Sequence, residues 1–91
     1  MDRMKKIVEV TEVSGEGLEA LLGQNVLLFC LNYIYTGRLA GVNSDCVLLE
    51  EPSIVYETGA FSTKQYGDVQ RLHCDKWYVQ RAAIESFGVG K

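Results

Sequence analysis

The chain has 91 residues, which suffice for one hydrophobic core and predict a single domain over residues 1–91. Hydrophobic residues make up 47% of the sequence, charged residues make up 23%, and there is 1 proline, which excludes the disordered, collagen-like and low-complexity classes. The formal net charge of −3 disfavours non-specific binding to duplex DNA, so any nucleic-acid contact requires a local basic patch.

Location and metal content are indicated by three simple patterns. Glu9 and Glu12 interrupt the apolar segment that a signal peptide would need after the basic N-terminal residues. The longest apolar run, residues 26–31, is too short to cross a bilayer. The 3 cysteines are odd in number and lack a CxxC pair, which favours reduced thiols over disulfides or structural zinc. We therefore expect a cytoplasmic protein without membrane contact, metal or cofactor.

The first predicted elements are an arm and a helix. Residues 7–13 alternate weakly between apolar and polar types, so residues 1–13 form either an extended arm or a strand. Three leucines at helical spacing in residues 18–22 follow Ser14 and precede Gly23, a residue suited to a left-handed helix end. This pattern predicts a helix of about two turns.

Strand signals fill most of the remaining chain. The apolar run at residues 25–31 has the length of a strand and predicts cover on both of its faces. In the next strand, Gly37, Leu39 and Gly41 alternate, and we expect them to share the concave face of a strand that bends around a small core. This arrangement predicts a closed or nearly closed barrel.

Turn residues divide the second half of the chain. Residues 43–45 predict a hairpin to a strand at residues 46–51, and Pro52 predicts a bulge or strand end, because proline lacks an N–H donor. The polar residues 58–68 predict a long loop. The remaining segments are an ambiguous lead-in at 69–72, strands at 77–81 and 84–87, and a flexible tail at 88–91.

The sequence resembles the Sm-like family, which includes LSm and Hfq proteins. Residues 37–50 read Gly-Arg-Leu-Ala-Gly-Val-Asn-Ser-Asp-Cys-Val-Leu-Leu-Glu and are similar to the first motif of that family. Residues 58–68 resemble its variable loop, and residues 77–87 resemble its second motif. The resemblance covers residues 18–87 and implies a mainly β fold, with a short N-terminal helix followed by a five-stranded, strongly bent SH3-like barrel.

The resemblance also implies an oligomeric ring of five to seven subunits that binds single-stranded RNA at turns around a central pore. The strands that would pair between subunits carry the implied interface residues Trp77, Tyr78, Val79, Ile84 and Phe87. The two turns carry the implied RNA-binding residues Asn43, Ser44, Asp45, Arg81 and Ala82.

The pore turns depart from the family pattern at several positions. Asn43 replaces an aspartate, Asp45 occupies the position of a base-stacking residue, and Val47 occupies that of a base-reading asparagine. Arg81 matches, whereas Ala82 replaces a glycine. Two hypotheses follow: an Sm-like ring that binds single-stranded RNA weakly, and an assembly or interaction module that keeps the barrel and ring without RNA.

Several residues have structural alternatives to a functional role. Arg81 either contacts RNA or forms an ion pair with Glu85 or Asp45, while Asn43 and Ser44 are ordinary turn formers. The aromatic residues, interleaved with basic ones near the end of the chain, either stack on bases or fill the core and the subunit interface.

Metal binding and catalysis are not favoured. His73, Cys74 and Asp75 are possible metal ligands, but neighbouring residues of an extended segment point to opposite faces. His73 is the only histidine, and no nucleophile motif accompanies it. We therefore expect a protein that is not an enzyme.

Overall fold

The computed structural model describes residues 15–91, so the arm or strand predicted at residues 1–13 lies outside the described residues. Within this range, no helix is both long and apolar enough to cross a membrane. Two single turns of 3-10 helix occur, at Leu18–Leu21 and Arg81–Ala83. The strands are β1 at Asn25–Cys30, β2 at Ile34–Val42, β3 at Cys46–Glu57, β4 at Asp68–Arg71, β5 at Lys76–Gln80 and β6 at Ile84–Val89.

The mainly β prediction is confirmed, but over residues 15–91 the sheet has six strands and is not closed. All pairings are antiparallel, and the strand order is β4-β3-β2-β1-β6. The long strand β3 pairs with β5 through its first half and with β4 through its second half. Among the described residues, no backbone pairing joins β6 to β4 or β5, so β6 forms one open edge of the bent sheet and β4 and β5 together form the other.

The predicted two-turn helix is instead one 3-10 turn of 4 residues. Gly17 and Gly23, on either side of this turn, have positive φ angles of 87° and 88°, which a right-handed helix does not accommodate. The turn stays in place because the side chain of Leu18 is buried in the core and the Gly23 N–H donates to the Leu39 carbonyl at 2.7 Å.

The bulge predicted at Pro52 is confirmed. Glu51 and Pro52 form an irregularity opposite Gly37, and the register of β2 against β3 shifts at this point. Glu51 has a φ of 51°, in the left-handed region. The close approach of the bulge to β2 leaves no room for a side chain at Gly37, which is buried.

The expectation that Gly37, Leu39 and Gly41 share one face is wrong for Gly41. Leu39 lies opposite Leu49 in the core, but a second register shift separates Leu39 from Gly41. Gly41 therefore lies opposite Leu48, whose side chain points to the other face of the sheet because strand side chains alternate. A bulge inserts one residue and thereby exchanges the faces, which the period-two pattern does not reveal.

The core lies between the 3-10 turn and the concave face of the sheet. Its buried members are Leu18, Val26, Leu28, Leu39, Val47, Leu49 and Val79. The predicted cover on both faces of β1 is confirmed, because the intervening residue, Leu27, is also buried. On that second face, Leu27 lines a cavity together with Phe61 and Lys91.

The segment that was predicted to be a flexible tail, residues 88–91, is held in place by hydrogen bonds to the rest of the chain. Gly88 and Val89 belong to β6 and pair with β1. The Gly90 N–H donates to the Asn25 carbonyl at 2.8 Å, and the Lys91 N–H donates to the Tyr66 hydroxyl at 3.1 Å. The segment therefore connects the edge of the sheet to the long loop at residues 58–67.

Candidate functional site

The two turns implied in RNA binding lie next to each other in the structure. The Arg81 N–H donates to the Asp45 carbonyl at 2.9 Å, and the Arg81 guanidinium donates to the Asn43 carbonyl at 2.9 Å. We call the site formed by residues 43–45 and residues 81–82 the paired-turn site. It brings a guanidinium and a tight turn to one place on the surface.

The carboxylate partner of Arg81 is Glu19, not the predicted Glu85 or Asp45. The Arg81 Nη1 atom lies 3.4 Å from the Glu19 Oε2 atom. The side chain of Glu19 is 61% exposed and that of Arg81 is 33% exposed, and ion pairs near the surface contribute about 0–1 kcal/mol. A phosphate group can therefore compete with Glu19 for the guanidinium.

Asn43 has a structural role in the paired-turn site. Its side-chain Oδ1 atom accepts hydrogen bonds from the Asp45 N–H at 2.7 Å and from the Cys46 N–H at 2.8 Å. Such an arrangement is typical of an Asx turn, in which the amide oxygen satisfies the backbone of the following residues. The Asn43 oxygen is thus used within the turn, as the structural alternative predicted.

The paired-turn site has few groups that distinguish one base from another. Val47, at the position of a base-reading amide, is completely buried in the core. Ala82 is exposed but has only a methyl group, and no aromatic residue occurs within residues 43–47. The Glu19 carboxylate lies beside the Arg81 guanidinium, and Asp45 adds a second negative charge to the site, which weakens the attraction for phosphate. The site suits backbone contacts better than base recognition.

The five implied interface residues divide into two groups. Tyr78 on β5 and Phe87 on β6 are 62% and 42% exposed, respectively. Trp77 and Ile84 are half-buried and pack against the core, and Val79 is a buried core residue of its own chain. Only Tyr78 and Phe87 therefore offer large areas to a partner, and they lie on β5 and β6, each of which is paired on one side only among residues 15–91.

An aromatic groove lies beside β5 and was not identified from the sequence. It encloses about 270 Å³ between β5 and the turn that joins β1 to β2. The rings of Tyr35 and Trp77 line the groove, with centroids 6.3 Å apart. Burial raises the pKa of the Cys30 thiol and the pKa of the Tyr35 hydroxyl in this groove. Only the folded sheet brings these segments together, so no local sequence signal marks the groove.

The segment His73-Cys74-Asp75 lies in the connection between β4 and β5. The Asp75 carbonyl accepts a hydrogen bond from the Glu51 N–H at 3.2 Å, so this connection stabilises the bulge in β3. Across residues 15–91, no three side chains of the His, Cys, Asp or Glu types converge in a way that could hold a metal ion. The described contacts thus give this segment a structural role.

Comparison of this chain with protein-family models, with curated proteins and with solved structures finds no match. The resemblance to Sm-like proteins thus depends on the sequence motifs alone.

Proposed function

We propose that this protein is an Sm-like subunit that assembles with copies of itself through the two open edges of its sheet. The observation that supports this proposal is that, within residues 15–91, β5 and β6 are each paired on one side only and carry the exposed aromatic residues Tyr78 and Phe87. An unpaired strand edge presents free N–H and C=O groups, which pair readily with a strand of another chain.

Pairing of β5 in one subunit with β6 in the next is a head-to-tail contact. Such a contact uses different surfaces on the two partners and produces a closed ring when the rotation between subunits allows closure. The resemblance favours five to seven subunits. In this proposal the protein is cytoplasmic, where the thiols of Cys30, Cys46 and Cys74 stay reduced.

Light scattering coupled to gel filtration tests the assembly. We expect one species whose mass corresponds to five to seven subunits of 10.2 kDa each, unchanged on dilution to micromolar concentration. A stable monomer under these conditions would contradict the proposal, because both edges would then remain unpaired in solution.

We further propose that the ring binds single-stranded RNA weakly at the paired-turn site. The adjacency of Arg81 and residues 43–45 supports this role, since a ring would repeat the guanidinium around one axis. Several modest contacts to one strand then add through effective concentration. Glu19 and Asp45 repeat as well and oppose phosphate, so we expect micromolar affinity, roughly 8 kcal/mol.

Fluorescence anisotropy with labelled oligo-U and oligo-A at low salt measures this binding. We expect Arg81→Ala to weaken it by about tenfold or more, because a charge-assisted contact to phosphate contributes about 1.5–3 kcal/mol. Glu19→Gln is expected to strengthen binding, because it removes the carboxylate that competes for the guanidinium.

Arg71→Ala is the matched control for the RNA experiment, because Arg71 is an exposed arginine on β4, outside the paired-turn site. The affinity of Arg71→Ala for the RNA should remain within about twofold of that of the wild type. Absence of binding by the wild type, or equal binding by Arg81→Ala, would remove the RNA role. The protein would then be an assembly module without RNA.

A further inference from the structure

The ammonium group of Lys91 lies at the centre of three backbone carbonyl groups. Its Nζ atom donates to the carbonyl oxygens of Thr58 at 2.7 Å, Ala60 at 2.9 Å and Gln65 at 2.9 Å. An ammonium group has three N–H donors and no acceptor, so these three acceptors match its full donor capacity.

Two aromatic rings complete the surroundings of this ammonium. The Nζ atom lies 5.3 Å from the ring centroid of Phe61 and 5.0 Å from that of Tyr66. Cations within about 6 Å of an aromatic face are attracted by the electron-rich face of the ring. The carbonyl groups and the rings all belong to residues 58–67, which we call the ammonium loop.

The ammonium loop is shaped by its own hydrogen bonds. The Thr63 hydroxyl donates to the Ala60 carbonyl at 2.9 Å and is 3.1 Å from the Gln65 carbonyl, two of the three oxygens that face Lys91. The Thr63 N–H also donates to the Ala60 carbonyl, at 3.2 Å. Gly59 has a φ of 71°, which turns the chain between the first two carbonyls. These contacts help to orient the acceptors, together with the hydrogen bonds from Lys91.

We propose that the ammonium loop is a binding site for a primary alkylammonium, which the side chain of Lys91 occupies within its own chain. An external alkylammonium enters the site when Lys91 is replaced or displaced. The three carbonyl acceptors select a primary ammonium over a quaternary one, which has no N–H donor. This assignment is independent of ring assembly and of RNA binding.

The occupied site lies beside a surface pocket that is lined by Lys91, Phe61 and Leu27, a buried residue of β1. Loss of the ammonium would remove its three hydrogen bonds to the loop, whereas the Lys91 N–H would keep its hydrogen bond to the Tyr66 hydroxyl. The Ala60 carbonyl, which faces the ammonium, also accepts a hydrogen bond from the Thr63 N–H at 3.2 Å. Hydrogen exchange of the Thr63 amide therefore reports on occupancy of the site.

The test uses Lys91→Ala, which removes the ammonium and the alkyl stem and leaves their space for an external alkylammonium. We expect hydrogen exchange of the Thr63 amide to accelerate by about tenfold or more, because charge-assisted hydrogen bonds to the loop are lost. Addition of n-butylammonium chloride at millimolar concentration should restore slow exchange in this variant. The same salt should leave the wild type unchanged, because its site is filled.

Two controls separate specific binding from general effects. Tetramethylammonium chloride has the same charge but no N–H donors, and it should not restore protection. Lys64→Ala removes an exposed lysine from the same loop and should exchange like the wild type. Unaltered exchange in Lys91→Ala, or equal rescue by the two salts, would overturn the proposal.

A measurement on the wild-type protein keeps the proposal testable if Lys91→Ala does not fold. In ¹⁵N NMR spectra, the ammonium protons of Lys91 should exchange with water more slowly than those of Lys64, because three carbonyl groups hold them. Equally fast exchange of both ammonium groups would show that the site does not retain Lys91.

Discussion

Gly37→Val is expected to lower the free energy of unfolding by about 3 kcal/mol, at the upper end of the usual effect of overpacking. A Cβ atom at Gly37 would lie 3.0 Å from the Glu50 carbonyl oxygen and 3.3 Å from both the Leu49 Cβ and the Pro52 Cα. Two of these three atoms belong to the backbone of the bulge, so a rotamer change elsewhere does not relieve the crowding. Denaturant unfolding monitored by Trp77 fluorescence measures the loss.

Gly41→Val is the matched control on the same strand. A Cβ atom at Gly41 would lie 3.5 Å from the Leu48 Cβ, an ordinary contact on the face away from the core. We therefore expect Gly41→Val to change the free energy of unfolding by no more than about 0.5 kcal/mol. Equal destabilisation of the two variants would mean that Gly37 and Gly41 lie on the same face of β2.

Elements with strong local signals were predictable from the sequence. The apolar run of β1 needs cover on both faces, and the turn at residues 43–45 has the residues of a tight hairpin. Pro52 predicts a bulge because its missing N–H does not permit regular pairing. Each of these signals depends on neighbouring residues only, which is why it persists in the folded chain.

Elements that depend on tertiary contacts were not predictable from these patterns. Strand β4 is exposed along its whole length, so the alternation of buried and exposed residues that marks most strands is absent. The register shift after Leu39 exchanges the faces of β2 without a local sequence signal. The sheet does not close into the predicted barrel, because β6 pairs with neither β4 nor β5 among residues 15–91.

The candidate site likewise has one part that the sequence predicted and another that it did not. The resemblance implied that residues 43–45 and Arg81 act together, and the structure places them in hydrogen-bond contact. The ion pair of Arg81 with Glu19 joins residues 62 positions apart in sequence, and no spacing rule foresees it. For the ammonium loop, the sequence likewise predicts only a polar loop. Its acceptors are backbone carbonyl groups, which every residue has whatever its side chain.

Tyr78→Glu and Phe87→Glu are each expected to convert the assembly to monomers. Both side chains are exposed aromatics on open edge strands, and truncation of such residues at the centre of an interface costs about 2 kcal/mol or more, or roughly 30-fold in affinity per contact. A buried, unpaired carboxylate adds a further penalty. Light scattering measures the mass, and circular dichroism verifies that the subunit remains folded.

Tyr56→Glu provides the matched control, because Tyr56 is 55% exposed but lies on β3, which is paired on both sides. The assembly formed by Tyr56→Glu should have the same mass as that of the wild type. Since a head-to-tail contact joins β5 of one subunit to β6 of the next, a mixture of Tyr78→Glu and Phe87→Glu retains one intact β5 and one intact β6. The mixture should therefore form dimers and stop there, because both remaining edges carry a glutamate. A symmetric pairing of β5 with β5 would instead leave Phe87→Glu fully assembled, which would contradict the head-to-tail arrangement.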